Sequence, residues 1–282
     1  MTAEESGVWR WLVDISRWRP SPAQFDAAAA LLPPHERPAI ARTTGSGAPV
    51  SRLLQYSLVH HLLHIPFHQI NICRTTEGKP YLVCTLSVKF SLIPSYICDR
   101  HHPWSDFLNF NFSTSHLGDY VGIASEPLCL VGETLCPFLS SREKPLPSSS
   151  ATSLRTLPTM SGTESFVLAL PETYWCLKEA FVKAIGAGIG FGLNRLEFHH
   201  EEWTNISICI DGEVSKKWRF WLFKLDETHL ASIAKGHPED AINAFKKTLS
   251  NVIISEKQLS SALDSPKEGF TLRTVEQLTQ SQ

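Results

Sequence analysis

The chain has little charge and no long apolar run. Charged residues make up 19% of its 282 residues, below the roughly 25% that is typical of soluble domains, and the formal net charge is −2. A near-neutral chain excludes strong nucleic-acid binding that depends on neutralising many phosphates. No apolar run reaches the roughly 18 residues that a membrane-spanning helix needs. We therefore expect neither nucleic acid nor a membrane as a partner.

Cysteines are few and irregularly spaced. The seven cysteines include no Cys-x-x-Cys pair, and their number is odd. This pattern predicts neither a disulfide framework nor a zinc ribbon. The N terminus lacks a basic start followed by an apolar core, so no secretory leader is expected. A reducing compartment, the cytosol, is the predicted location.

Apolar residues are plentiful, at 43% of the chain, so a sizeable core is expected. At roughly 150 residues per domain, the length fits one large domain or two small ones. Apolar residues at helical spacing predict helices over 21–32, 50–64 and 174–185. Alternating or aromatic runs predict strands at 8–14, 70–74, 109–124, 128–132, 206–210 and 218–225. The stretches 83–108 and 137–170 show no clear periodicity, and the second is rich in Ser and Pro.

The strongest candidate for chemistry lies on the helix predicted over 174–185. Glu179 and Lys183 are four residues apart and share a face, and Trp175 lies one turn before them. A carboxylate and an ammonium presented together can hold a divalent cation and the phosphates that it bridges. The alternative from spacing alone is an exposed ion pair, worth about 0.3–0.5 kcal/mol.

Two further clusters could bind phosphate. Ser113, Thr114, Ser115 and His116 follow an aromatic strand, and their hydroxyls and imidazole suit a phosphate group. The alternative is a hydrogen-bonded turn between two strands. The second cluster lies at 74–79, where Arg and Lys flank a Gly-containing turn; the alternative there is an ordinary basic hairpin.

In this order, the three clusters resemble the 4′-phosphopantetheinyl transferases. The chain is most similar to the long, single-chain eukaryotic kind related to the aminoadipate-semialdehyde dehydrogenase phosphopantetheinyl transferase. The resemblance is carried by FNFSTSHLGDYVGIASEP at 110–127 and YWCLKEAFVKAIGAGIGFGLNRLEF at 174–198, with weaker support from RTTEGKPYL at 74–82. The family core W-x-L-K-E-[AS]-F-x-K-A-x-G is matched at every fixed position.

This resemblance implies an α+β fold. In that fold, a pseudo-dimeric pair of similar α/β subdomains encloses the site at their interface. The subdomains would be residues 1–127 and 128–235, followed by a polar helical tail at 236–282. A monomer is expected, because both halves lie in one chain.

The resemblance also implies an activity. The 4′-phosphopantetheine group of coenzyme A would pass to a serine of an apo acyl-carrier or peptidyl-carrier protein domain, with magnesium as the ion. Carriers of fatty-acid synthesis, of polyketide synthesis and of lysine (aminoadipate) metabolism all remain open.

The resemblance assigns roles to individual residues. Glu179 would bind the metal and accept the serine proton, and Lys183 would pair with a phosphate. The residues implied to bind coenzyme A are Arg74, Thr75, Gly78, Lys79, Ser113, Thr114, Ser115, His116 and Lys183.

One departure from the family concerns the metal. The family carries an Asp ligand after a Val-Gly-Ile sequence, whereas Thr134 occupies that position here. Glu133 is acidic and is the candidate second metal ligand, although neighbouring residues of a strand face opposite sides. Two functions therefore stay open: a transferase weakened in magnesium binding, or a protein that binds coenzyme A or carrier proteins without turnover.

Overall fold

The computed structural model describes residues 8–38, 47–83, 109–137, 170–263 and 269–279. Almost all of the two stretches expected to be irregular, 83–108 and 137–170, lies outside these ranges. The main elements, in chain order, are β1 (Trp9–Asp14), α1 (Pro22–Ala30), α2 (Gly47–Leu63), β2 (Ile72–Arg74), β3 (Pro80–Leu82), β4 (Asn111–Leu117), β5 (Tyr120–Glu126), β6 (Leu130–Pro137), α3 (Leu170–Ile185), β7 (Leu196–Glu201), β8 (Thr204–Ile210), β9 (Glu213–Ser215), β10 (Trp218–Lys224), β11 (His229–Gly236), α4 (Asn243–Lys246), α5 (Glu256–Leu263), β12 (Thr271–Arg273) and α6 (Val275–Thr279).

This mixture of sheets and helices confirms the predicted α+β class. The first sheet has the order β12-β1-β5-β4, and α2 packs on it. Strand β1 is buried on both faces: Trp11 and Val13 join the core under α2, whereas Leu12 joins a second cluster with Phe223. Burial on both faces explains why this strand is apolar almost throughout.

The second sheet has the order β10-β11-β6 and carries α3 on one face. Leu177, Phe181 and Ala184 of the helix pack in one cluster with Leu130 and Phe220 of the strands. These apolar residues recur every three or four positions, which is the spacing that predicted the helix. A separate small sheet, β7-β8-β9, follows α3.

The two larger sheets meet along β4 and β6, through side chains of β4. Asn111 accepts the backbone N–H of Val131 at 3.0 Å and donates to the carbonyl of Cys129 at 2.7 Å. Two residues on, Ser113 donates to the carbonyl of Glu133 at 3.5 Å. Alternate polar residues of β4 thus form hydrogen bonds with backbone N–H and C=O groups along the edge of β6, which would otherwise be left unpaired.

The segment after residue 236 was expected to be a polar helical tail. It carries three short helices, and it also supplies β12, which pairs parallel to β1 with Trp11 opposite Thr271. Phe270, Val275 and Leu278 are buried, and these apolar residues hold the segment against the first sheet. Its strand β12 is therefore part of that sheet, while Phe245 packs in the core between α3 and the second sheet.

None of the helices within the described ranges is long and apolar enough to cross a membrane.

Candidate functional site

Helix α3 presents Glu179 and Lys183 at the margin of its buried face. Both side chains are partly buried, and in the described part of the chain neither has an ion-pair partner within bonding distance, including the other. Of the two interpretations left open by the spacing, the structure therefore does not support a surface ion pair. Burial lowers the pKa of Lys183, and the carboxylates of Glu133 and Glu179 oppose that change.

The helix is placed by a close backbone approach. Gly132 of β6 lies against α3, where a Cβ on it would overlap the carbonyl oxygen of Ala180. Only glycine permits that approach without a shift of the helix. Trp175, one turn before Glu179, leaves 47% of its surface exposed, so this end of the helix is open to solvent. Lys178 points elsewhere and donates to the carbonyl of Leu193 at 2.8 Å.

The carboxylate of Glu133 is fully buried and faces the first sheet. Its two oxygens lie 2.8 and 2.7 Å from the hydroxyl of Ser115, which also accepts the backbone N–H of Leu135 at 3.0 Å. Gly122, the cross-strand partner of Ser115, leaves the space for this group, since a Cβ there would overlap Oε1 of Glu133. Burial raises the pKa of Glu133 to about 7, against the opposing effects of Lys183 and Ser115.

Thr134 lies on the other side of β6, toward α3. Its hydroxyl is buried and has no hydrogen-bond partner among the described residues, and the same holds for Ser232 directly opposite on β11. The thiol of Cys176 on α3 donates to the carbonyl of Thr134 at 3.7 Å. A neutral, unpaired oxygen therefore stands where the resemblance implies an aspartate ligand.

In the Ser-His cluster on β4, the three hydroxyls form hydrogen bonds within the protein, whereas the imidazole of His116 is exposed. The hydroxyls of Ser113 and Ser115 bond to Glu133, as described above, and that of Thr114 accepts from the amide of Gln55 at 3.1 Å. His116 is exposed, and its ring lies beside Gly47 at the start of α2. His116 is thus the member most open to a phosphate.

Hydrogen bonds within the turn shape the basic hairpin β2–β3. Arg74 is exposed and donates to the carbonyl of Gly78 at 2.9 Å, while Thr75 accepts the backbone N–H of Lys79 at 3.2 Å. The positive φ of Gly78, 92°, closes the turn.

Lys79 is buried, in contrast to its exposed neighbours in the turn. Its ammonium donates to the carbonyl of Val131 at 2.7 Å and lies 5.1 Å from the ring centre of Phe245. Burial, and then the charge of Lys183, lowers its pKa well below the ordinary value. Lys79 therefore joins the hairpin to β6 and approaches the site from inside the protein.

Sequence reasoning missed Arg52 on α2. It forms an ion pair with Glu36 at 3.2 Å. Although Arg74 is exposed on one side, the protein atoms around its guanidinium, and then the charge of Arg52, lower its pKa, so the two guanidinium groups are electrostatic neighbours. The first half of α2 thus carries Arg52, has His116 beside its first residue, and lies within electrostatic reach of Arg74. The available signal was an arginine near the start of a predicted helix. Its proximity to Arg74 of the hairpin is a tertiary feature that the sequence pattern does not show.

Magnesium commonly binds through one or two carboxylates together with substrate phosphates, keeping several waters. Within the described residues, no group of three or more His, Cys, Asp or Glu side chains is placed to hold a metal ion. The carboxylate of Glu179 has no partner among the described residues. It therefore fits a magnesium site that is completed by substrate phosphates and water. The carboxylate of Glu179, the ammonium of Lys183, the imidazole of His116 and the guanidinium of Arg74 together suit an anionic, phosphate-bearing substrate.

Comparisons with known proteins agree with this chemistry. The model described as "4′-phosphopantetheinyl transferase, N-terminal" matches residues 16–128, and that of the "4′-phosphopantetheinyl transferase superfamily" matches 151–234. The L-aminoadipate-semialdehyde dehydrogenase-phosphopantetheinyl transferases of Rattus norvegicus and Homo sapiens are each 30% identical over 253 residues, or 82% of this chain and 75% of theirs. A phosphopantetheinyl transferase of Thraustochytrium sp. is 27% identical over 249 residues, covering 82% of this chain and 80% of its own.

Proposed function

Because this chain belongs to the 4′-phosphopantetheinyl transferase superfamily, we propose that Glu179 and Lys183 act directly at the phosphate of the transferred phosphopantetheine group. The enzyme transfers the 4′-phosphopantetheine group of coenzyme A to carrier-protein domains. The observation that carries the assignment is that both side chains, one turn apart on α3, have no ion-pair partner among the residues that the structure describes. A site that must receive a diphosphate needs charges that the protein has not already neutralised.

The reaction replaces the phosphoanhydride bond of the coenzyme A diphosphate with a phosphodiester bond to serine. The serine hydroxyl of the carrier attacks the phosphorus that bears pantetheine, and the bond from that phosphorus to the leaving adenosine 3′,5′-bisphosphate breaks. Glu179 accepts the serine proton, directly or through water. The ammonium of Lys183 pairs with the diphosphate as a point charge, both when coenzyme A binds and as the bond breaks.

Glu179 would hold magnesium together with the phosphates of coenzyme A. The ion supplies charge neutralisation on the diphosphate when it is bound. Glu133 was the second expected ligand, but its carboxylate is buried against the first sheet, where it accepts the hydroxyl of Ser115. Thr134 offers a neutral hydroxyl in place of a carboxylate, so weak magnesium binding is expected.

The remaining phosphates and the nucleotide of coenzyme A would lie around the first half of α2. His116 and Arg74 are exposed there, and Arg52 adds a charge that the sequence did not predict. Thr75, Gly78 and Lys79 would act by shaping the hairpin that carries Arg74, as their hydrogen bonds suggest.

The pseudo-dimeric arrangement is also part of the proposal. One sheet comes mainly from the first half of the chain and the other from the second, and they meet along β4 and β6. Ser115 from the first half and Glu133 from the second touch at this boundary, and this contact supports a site between the halves. A cytosolic location is supported by the free state of Cys73, Cys129, Cys136, Cys176 and Cys209.

The second candidate function is binding of coenzyme A or carrier domains without turnover. The neutral Thr134, facing α3 where the resemblance implies a ligand, is the observation that favours it.

One experiment separates the two functions. The protein is mixed with coenzyme A, magnesium and an apo carrier protein, and intact-protein mass spectrometry detects any gain of phosphopantetheine on the carrier. Calorimetry measures coenzyme A binding in parallel. Modification supports the transferase, whereas binding without modification supports the second function, and absence of both contradicts the site.

A further inference from the structure

A buried ion pair joins the two larger sheets. Glu126 ends β5 in the first sheet, and its carboxylate lies 2.8 Å from the ammonium of Lys235 on β11 in the second sheet. Each of the two side chains is only 2% exposed. Arg10 of β1 enters the same layer, with its guanidinium 5.5 Å from the ring centre of Trp221 on β10. Charged side chains of the first half thus reach into the second half without meeting solvent.

Apolar side chains lie next to this pair in the same layer. Ala124 and Glu126 share one face of β5, and Ile233 and Lys235 share one face of β11, because alternate residues of a strand point the same way. Ala124 and Ile233 belong to the apolar cluster between the sheets. Compared with apolar residues of similar volume, a buried ion pair often adds no stability, because removing two charges from water is costly. Stability alone therefore does not account for the pair.

An ion pair differs from apolar contacts in its directionality. Two apolar faces can pack in several neighbouring arrangements of similar energy. A carboxylate and an ammonium at hydrogen-bonding distance match in one arrangement, and a slip leaves two charges buried and unpaired, which is strongly unfavourable. The pair between Glu126 and Lys235 is therefore suited to fix how one sheet is aligned on the other.

Both partners of the pair adjoin Val131 of β6. Lys235 lies directly opposite Val131 in the pairing of β11 with β6. Glu126 lies opposite Asn111 in the pairing of β5 with β4, and the side chain of Asn111 accepts the backbone N–H of Val131 at 3.0 Å. The ion pair therefore reinforces the junction of the two sheets at Val131.

Val131 connects this junction to the site on two sides. Its carbonyl accepts the ammonium of Lys79, which ties down the hairpin that carries Arg74. The next residue, Gly132, makes the close contact with α3. His116, by contrast, belongs to the first sheet. A slip between the sheets at Val131 would therefore shift both α3 and the hairpin relative to His116.

We infer that Glu126 and Lys235 are positioning residues for the binding of coenzyme A. Their ion pair fixes the alignment of the two halves, so that the phosphate-binding side chains of both halves are in place before coenzyme A arrives. A site preorganised in this way loses less free energy to ordering when the ligand binds. The identity of the ligand rests on the proposed function, whereas the alignment of the sheets does not.

The test replaces both charges together, in the double variant Glu126→Leu with Lys235→Met. The side-chain volumes stay similar and neither charge of the pair is left alone, so the free energy of unfolding in urea should be equal or higher. Calorimetry should show coenzyme A binding about tenfold weaker, the scale of ordering one or two more side chains on binding. Hydrogen exchange of the Val131 amide, followed by nuclear magnetic resonance, should become faster.

The matched control is Ile233→Val in the same layer. It removes one buried methylene group and no polar contact, so it should lower the free energy of unfolding. Its coenzyme A affinity should equal that of the wild type, because the ion pair remains. The control thus separates a loss of packing from a loss of alignment.

Four outcomes bear against the inference or against the function beneath it. Unchanged Val131 exchange in the double variant would show that the halves stay aligned without the pair, and unchanged affinity would show that binding does not depend on it. A double variant less stable than the wild type, or an equal loss of affinity in Ile233→Val, would assign the pair to stability or packing; any of these overturns the inference. Faster Val131 exchange in a protein that binds no coenzyme A would support the alignment and contradict the proposed function.

Discussion

Gly132 of β6 and Ala180 of α3 approach so closely that any side chain at residue 132 would overlap the carbonyl oxygen of Ala180. This contact sets the distance between the strand that carries Glu133 and the helix that carries Glu179 and Lys183. Stability and site geometry therefore depend on the same glycine.

Gly132→Ala should destabilise the protein by about 1–3 kcal/mol, the usual cost of overpacking. The helix must move away from β6, so transferase activity should fall as well. Urea unfolding monitored by tryptophan fluorescence measures the first effect. Gly190→Ala, where a Cβ would meet nothing within 4 Å, serves as the control, and equal stability of the two variants would contradict the close approach.

Glu179→Gln should reduce carrier modification by roughly 10²–10⁴-fold, the range of general acid–base catalysis. Binding of coenzyme A without metal should persist, because Glu179 contributes no positive charge. Lys183→Ala should mainly raise the KM for coenzyme A. The exposed Glu197 gives a matched control, Glu197→Gln, with unchanged kinetics. Full activity of Glu179→Gln would contradict the assignment of α3 to the active site.

Thr134→Asp should increase activity and lower the magnesium concentration needed for half-maximal rate. The new carboxylate would face α3, in the position where the resemblance implies a ligand. Thr134→Val is the matched comparison: it removes a buried hydroxyl that has no partner among the described residues, so it should stabilise the protein by about 1 kcal/mol and leave the magnesium requirement unchanged. An identical magnesium requirement in all three proteins would show that residue 134 lies away from the ion.

Glu133→Gln should make the protein more stable at pH 8 but not near pH 5. The pKa of Glu133 is raised from 4.5 to about 7 by burial, so the folded state binds the proton more tightly than the unfolded state does. Stability is therefore lost as pH rises between these two values, and the loss is complete above the folded pKa. Glutamine does not ionise and escapes the loss. Urea unfolding of both proteins at each pH measures the difference, and a variant that is less stable at pH 8 would contradict this sign.

Local patterns predicted the elements that hold the site. The period of apolar residues gave α3, found at Leu170–Ile185, and the aromatic and polar alternation at 109–124 gave β4 and β5. Glu179 and Lys183 followed from helical spacing alone. These features depend on residues close together in sequence, which is why a single sequence was enough.

Features that depend on distant residues were not predictable in the same way. The burial of Lys79 under β6 contradicts the exposed character that a basic turn normally has, and the proximity of Arg52 to Arg74 joins a helix to a hairpin. The space at Gly122 has meaning only once Glu133 lies opposite it. Each is a tertiary contact, for which neither propensity nor periodicity carries a signal.

The pairing of β12 with β1 bears on how the protein forms. Strand β1 leaves the ribosome long before its parallel neighbour, which comes from Thr271–Arg273. Until that segment is synthesised, β1 presents an open edge that other chains could join. Such long-range pairing is also slow to form. Loss of β12, even far from the chemistry, would leave a nascent enzyme exposed to aggregation.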